Sequence, residues 1–452
     1  MSLSQNHLIE LAHEVVKRAL DAGASDAECT VAEGEEFSAN VRMRELESLK
    51  EAGSRGIGVR VLVGRRAGSS STSDLSREGI ERLVRSAIEL ADVTNEDPCA
   101  GLPEADEFGS LAGDLRLAAP DVANLETGMK IETAKRAEAA ALDSDPRIFN
   151  SEGASFDSHL GRHVFVNSRG FAGEYRTSYC SLSAVPVARE GESMERDYWS
   201  SLARGFSGLE PPEQVGRIAA SRALRRLNPV KVTTQKVPVV FEARVARSLL
   251  GNLFDAVHGM AIYRHQSFLE DKLGEKVASE CVTVIDDGTI PGLFGTSPFD
   301  DEGVASRRTV VIERGVLKSY LLNCYAARKL GMKTTGNASR GLTGNPGIGH
   351  GNFYLEKGAE TPEQIVGGIR NGFYVTETQG FGVNTVTGDY SQGAAGLWIR
   401  DGELAFAVSE VTIAANLREM LLGIEAAGSD LEFRGSVAAP TIKIGEMTVG
   451  GK

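Results

Sequence analysis

The sequence predicts an α+β protein of two domains: residues 1–230, antiparallel sheets with flanking helices, and residues 231–452, a β-rich domain with a few helices. Three observations carry that prediction. A chain of 452 residues exceeds what one ordinary core holds. Up to residue 228 the order helix, strands, helix occurs twice, which reads as a degenerate duplication of one α-β-α unit, resting on element order alone. Beyond residue 236 the apolar residues come in short β-branched or aromatic runs broken by Gly.

Residues 7–22 place Leu8, Leu11, Ala12, Val15 and Ala19 at helical spacing, and Gly23 stops the pattern. Strands follow between Ala27 and Ser73, where Ile57, Val59, Val61 and Val63 alternate with Gly58, Arg60 and Gly64 as in a sheet with one wet face. A helix over 75–92 buries Leu83, Val84, Ala87, Ile88 and Ala91. Residues 94–118, rich in Asp, Glu, Gly and Pro, read as a solvated connection. The second round is an Ala-rich helix over 121–142 ended by Asp145-Pro146, strands over 147–206, and a helix opened by Pro211-Pro212-Glu213. A linker over Asn228–Gln235 leads to a buried strand, Val237–Phe241, and a helix, Arg244–Val257, with Val245, Leu249, Leu250 and Leu253 inward.

Composition bounds the function. A 41% hydrophobic and 25% charged make-up is that of a soluble globular protein. The net charge of −13 argues against direct nucleic-acid binding, and the densest basic group, Arg222, Arg225, Arg226 and Lys231, sits at a helix end where cations favour the dipole. No apolar run reaches about 18 residues, so no membrane span is expected. The polar opening, Ser2, Ser4, Gln5 and Asn6, is unlike a signal peptide, and a cytoplasmic protein is expected. Five scattered cysteines give neither metal spacing nor a disulfide framework and read as reduced and structural.

The stretch Tyr374–Leu417 organises the second domain, with Asp401-Gly402 as its hairpin turn. Thr387, Gly388, Asp389, Tyr390, Ser391 and Gly393 are too small or polar to fill a core, and read either as a groove admitting an extended peptide or partner, or as a glycine-rich sheet corner without ligand. Ser391 lacks a nucleophile-elbow context and a nearby His. His159 and His163 stand four apart in what reads as a turn, and His258 and His265 bracket a loop, so neither pair suggests a metal site. Asp286-Asp287-Gly288 and Asp300-Asp301-Glu302-Gly303 fit turn chemistry, not an EF-hand.

The sequences TGDYSQGAAGLWIRDGE and FAVSEVTIAANL within 387–417, SPFDDEGVASRRTVVIERGVLKSYLLNCYAARKLGMKTTGNA at 297–338 and GSDLEFRGSVAAPTIKI at 428–444 resemble the TldD/PmbA family, and more closely its PmbA (TldE) branch. The resemblance implies a cytosolic peptidase subunit of a kind also named modulator of DNA gyrase. It also makes the group from Asp300 to Arg308 an internal ion pair or an interface element.

In the TldD branch the helix after the linker carries HExxxH, whose histidines bind zinc while the glutamate acts as base. The matching place here, fixed by Leu250-Gly251, reads Glu242-Ala243-Arg244-Val245-Ala246-Arg247. The cysteine that serves that branch as a further ligand has no counterpart in Glu432–Ser436. The resemblance therefore implies no catalytic, cofactor-binding or metal residues in this chain, with zinc expected in a TldD-type catalytic partner. A heterodimer with that partner, a homodimer when isolated, and an unfolded peptide substrate are the resulting expectations; the alternatives are an autonomous hydrolase with an unrecognised site and a non-enzymatic regulator of DNA gyrase.

Overall fold

The structure, a computed structural model, describes residues 7–451, so the polar opening at residues 2–6 lies outside it. It is α+β. The first round of elements is α1 (His7–Asp21), β1 (Asp26–Arg42), β2 (Glu45–Val63), β3 (Arg66–Thr72) and α2 (Arg77–Val93). After a short α3 (Pro120–Ala123), the second round is α4 (Thr127–Leu142), β4 (Ile148–Asn167), β5 (Ala172–Glu190), β6 (Ser193–Arg196), β7 (Trp199–Ala203) and α5 (Pro212–Leu224). Both rounds share one seven-stranded sheet, because β1 and β4 pair antiparallel from Glu28 opposite Asn167 to Val41 opposite Ala154.

Alternation along β1 decides what each sheet face meets. Cys29 and Val31 pack under α1 and α2, while Phe37, Ala39 and Val41 pack under α4 and α5, so one face carries all four helices. Gly23, at φ +104°, ends α1 in a conformation that glycine adopts without strain.

The other face is not wet, contrary to the alternation read at Ile57–Val63. Gly58 and Arg60 are buried. The segment 339–346, from the C-terminal half, lies across them. A Cβ on Gly58 would stand 1.7 Å from the Leu342 carbonyl oxygen, so only glycine lets the two backbones approach. Leu62 meets Ala100 and Leu102, and Arg328 donates to the carbonyls of Cys99 and Leu102. The connection read as solvated is thus partly docked, since its short apolar residues have a neighbour that sequence pattern does not reveal.

The C-terminal half begins with β8 (Gln235–Phe241) and α6 (Ala243–Val257). β8 enters a six-stranded sheet ordered 403–416, 389–400, 371–379, β8, 442–450, 424–427. Residues 412–414 also pair with 448–450, which closes five of these strands into a ring. The Asp401-Gly402 turn joins two of them with both residues at positive φ. Asn371–Gln379 pairs antiparallel with Asp389–Arg400 on one side and parallel with β8 on the other. A five-stranded sheet, with Val284–Asp287 at its centre, packs on the same core. Among the described residues no helix is long and apolar enough to cross a membrane.

Candidate functional site

The site grows from the start of α6. Glu242 occupies its N-cap position but does not cap it; the side chain turns away to α5. There Arg222 donates from both terminal nitrogens, Nη1 to Oε1 at 2.8 Å and Nη2 to Oε2 at 2.9 Å, and Arg225 adds a bond at 3.0 Å. Burial alone would raise the Glu242 carboxyl, yet the two guanidiniums hold it below its usual range. The basic group at the end of α5 is therefore more than a helix-dipole feature: Arg222 also faces Asp197 at 3.3 Å, and Arg226 pairs with Glu195 and Glu377.

Beside this pair opens a cavity of about 560 Å³, between α5, the first turn of α6 and residues 430–439. Trp199 lines it. The Arg434 guanidinium lies 4.2 Å from its ring centroid, Arg244 at 5.0 Å and Arg222 at 5.6 Å. Its indole N–H donates to Glu210 at 3.1 Å, and Glu210 accepts from Arg434 at 2.9 Å. Arg244 also stacks on Tyr198 and donates to the Tyr198 carbonyl at 3.0 Å.

Glu242, Arg247 and Arg434, scattered in sequence, all line this one cavity. These are the places that the family resemblance marks for the two zinc histidines and, within 432–436, the cysteine. The donor set does not fit zinc. Guanidinium groups offer protons and no lone pair, and both Glu242 oxygens are already engaged by arginine. Among the described residues no group of three or more His, Cys, Asp or Glu is disposed to hold a metal.

Thr387, Gly388, Asp389, Tyr390, Ser391 and Gly393 come together elsewhere, at the end of the strand Asp389–Arg400. None lines the arginine cavity. Gly388 sits at φ +85°, Thr387 donates to Asp389 at 2.7 Å, and Tyr390 is buried in the core. Asp389–Gly393 pairs with Thr412–Asn416 on one side. On the other, Ser391 N–H donates to the Gly382 carbonyl, Asn384 N–H to the Asp389 carbonyl, and Gly393 pairs with Gln379. No sheet edge is free there for an added strand; what these residues offer is the exposed side chains of Thr387, Asp389 and Ser391. Among the described residues no imidazole hydrogen-bonds to Ser391.

His159 and His163 lie on β4, not in a turn, because β1 and β5 pair with that segment on both sides. His163 is half-buried beside Asp301 at 3.6 Å, and desolvation lowers its pKa. His265 is exposed and pairs with Glu270; His258 is partly buried at the end of α6. Asp300 accepts three backbone N–H bonds, from Glu302, Val304 and Ala338, and Glu302 accepts from Cys324 N–H. Asp287 accepts from Thr289 in its turn, whereas Asp286 lies within the buried strand Val284–Asp287. Asp286, Asp300 and Asp301 line a second cavity, of about 430 Å³, against β4 and β5, so the acidic group is an interface element between the two halves. Trp199 was invisible to sequence reasoning; its rarity, one of 2 tryptophans, was the only hint.

Models of the PmbA/TldA metallopeptidase family match residues 27–91 (domain 1), 120–227 (central domain) and 234–451 (C-terminal domain). The chain is 39% identical over 446 residues to metalloprotease PmbA of Escherichia coli O157:H7, covering 98% of this chain and 97% of the relative. It is 35% identical over 443 residues to the metalloprotease PmbA homolog of Haemophilus influenzae, covering 96% and 94%. Among solved structures, one from Bacteroides thetaiotaomicron, proposed as a modulator of DNA gyrase, matches with a TM-score of 0.92 at 28% identity over 100% of both chains. TldE from Thermococcus kodakarensis shares the fold, with a TM-score of 0.86 at 22% identity over 98% of this chain and 100% of that one. Matched along almost its whole length, this chain belongs to the PmbA/TldD metallopeptidase family.

Proposed function

We propose that this chain is the non-catalytic subunit of a cytoplasmic two-chain peptidase, pairing as a heterodimer with a zinc-bearing TldD-type chain and forming a homodimer when isolated. One observation carries the reading: at the place that the resemblance matches to the TldD branch's HExxxH, Glu242 is consumed by two arginines and the cavity beside it is lined by Arg247 and Arg434. Such a chain supplies wall and grip for an unfolded peptide, and its partner supplies the chemistry. The projecting loop next to Thr387–Gly393 supports pairing. Its Phe381 is fully exposed, at 104%, and Val386 five residues on is exposed as well, so the loop offers more than one apolar side chain.

The test is digestion of a disordered peptide by each chain alone and by both. The mixture is expected to cleave in a chelator-sensitive way and this chain alone to be inactive, with Phe381→Asp weakening assembly and Ser391→Ala lowering activity less than about twofold. Elemental analysis after dialysis is expected to find no stoichiometric zinc in this chain. Cleavage by this chain alone, insensitive to chelator, would falsify the proposal.

A further inference from the structure

We infer that the arginine-lined cavity beside α6 is a binding pocket for a peptide carboxylate, either the chain terminus or an Asp or Glu side chain. This deepens the proposed subunit role by naming the part of the substrate that this chain grips. Charge is the first reason. The protein carries a net charge of −13, yet Arg217, Arg222, Arg225, Arg244, Arg247 and Arg434 all line this one cavity. Among the described residues, the carboxylates in and behind its wall leave two of these arginines unpaired. Glu242 is taken by Arg222 and Arg225, Asp197 by Arg222, Glu432 and Glu210 by Arg434, and Asp430 accepts from Thr441. Arg244 and Arg247 form no ion pair among the described residues.

Geometry is the second reason. Stacking on Tyr198 and Trp199 fixes the plane of Arg244, and a fixed guanidinium presents its parallel N–H bonds to a carboxylate with little further loss of side-chain freedom. The backbone N–H groups of Ala243 and Arg244 open α6 without an acceptor among the described residues, since the N-cap carboxylate has turned to α5. Ala243 and Arg244 both line the cavity, which thus lies at the positive end of a helix of 15 residues. Trp199, Ile218, Tyr374 and Val437 give the pocket apolar walls. A volume of about 560 Å³ admits one or two residues of an extended peptide. A nucleic-acid phosphate would demand cations spread along a surface, and here they converge on one hole.

The experiment uses the isolated full-length chain and four versions of one disordered peptide. They have a free or amidated C-terminus, each with its Asp and Glu residues kept or replaced by Asn and Gln. Binding is read by anisotropy of a label on the peptide, and Trp199 fluorescence reports occupancy of the pocket. The fully acidic peptide is expected to bind at least about tenfold more tightly than the amidated, neutralised one, the advantage fading with salt. Loss on amidation alone assigns the pocket to the chain terminus; loss on neutralisation alone assigns it to side chains. Arg247→Gln, at an exposed position whose change leaves the fold intact, is expected to remove most of the difference with an unchanged melting curve. Equal binding of all four peptides, no binding of any, or an Arg247→Gln chain that discriminates as before would overturn the inference. Reconstituted cleavage is scored separately. Cleavage restored without carboxylate preference refutes the pocket and leaves the subunit role standing; preference retained without restored cleavage does the reverse.

Discussion

Two junctions tie the N-terminal sheet and its helices to the C-terminal half, and both centre on one glutamate held by two arginines. At the first, Glu28 of β1 is fully buried between Arg60 at 3.0 Å and Arg340 of the crossing segment. Arg60 donates onward to Asn345 and Arg340 to Thr30, so the group is sealed under 339–346. At the second, Glu242 is held by Arg222 and Arg225, but further arginines surround it and a cavity opens beside it. The same ionic unit therefore serves two ends. Sealed, it is a clasp that orients the two halves; open, it consumes a carboxylate and leaves neighbouring cations for a ligand.

The comparison breaks most sharply at the clasp. Glu28→Gln leaves Arg60 and Arg340 buried without a counter-charge and is expected to cost about 3–5 kcal/mol in urea unfolding. Next comes Gly58→Val, which drives a side chain into the Leu342 backbone; a loss of about 3 kcal/mol is expected, and protection of 339–346 from hydrogen exchange should fall with it. If Glu242→Gln cost as much as Glu28→Gln, sealing would not be what separates the junctions. We expect about 1–2 kcal/mol there, because Arg225 is partly exposed and water reaches the cavity.

Acid titration sharpens the contrast, with opposite signs on the two sides. Burial pushes the Asp286 carboxyl, in the cavity next to the clasp, up to about 6. The native state then holds its proton more tightly than the unfolded chain, so stability falls as pH rises from about 4 to about 6. Asp286→Asn should flatten that slope. Glu242 is shifted down, so its contribution is present above the ordinary glutamate pKa of 4.5 and is lost as pH falls below it; Glu242→Gln should flatten the acid limb instead. The smallest effect is expected from Ser391→Ala, within about 0.5 kcal/mol in the same urea assay, since an exposed hydroxyl is lost and the backbone pairing stays.

Apolar spacing, which needs only local geometry, was enough to read the five longer helices from the sequence, and β-branched runs with turn residues such as Asp401-Gly402 marked strands, whereas short helices such as Cys324–Leu330 and Leu417–Leu422 carried too few turns to show a period. The sequence by itself also determined that Glu242–Arg247, the stretch that the family resemblance matches to HExxxH, holds no histidine, because side-chain chemistry is independent of fold. Only the tertiary structure decided which face of β2 is covered, since Gly58 and Arg60 look solvent-facing until the segment 339–346 is laid across them. The same holds for β4, whose His159 and His163 read as a turn until pairing with β1 and β5 made the segment continuous strand. Trp199, Arg244 and Arg434 likewise meet across more than half the chain. Periodicity records whether a side chain points in or out, but not what it will meet, and contacts between residues so far apart exist only once the chain has closed its long loops.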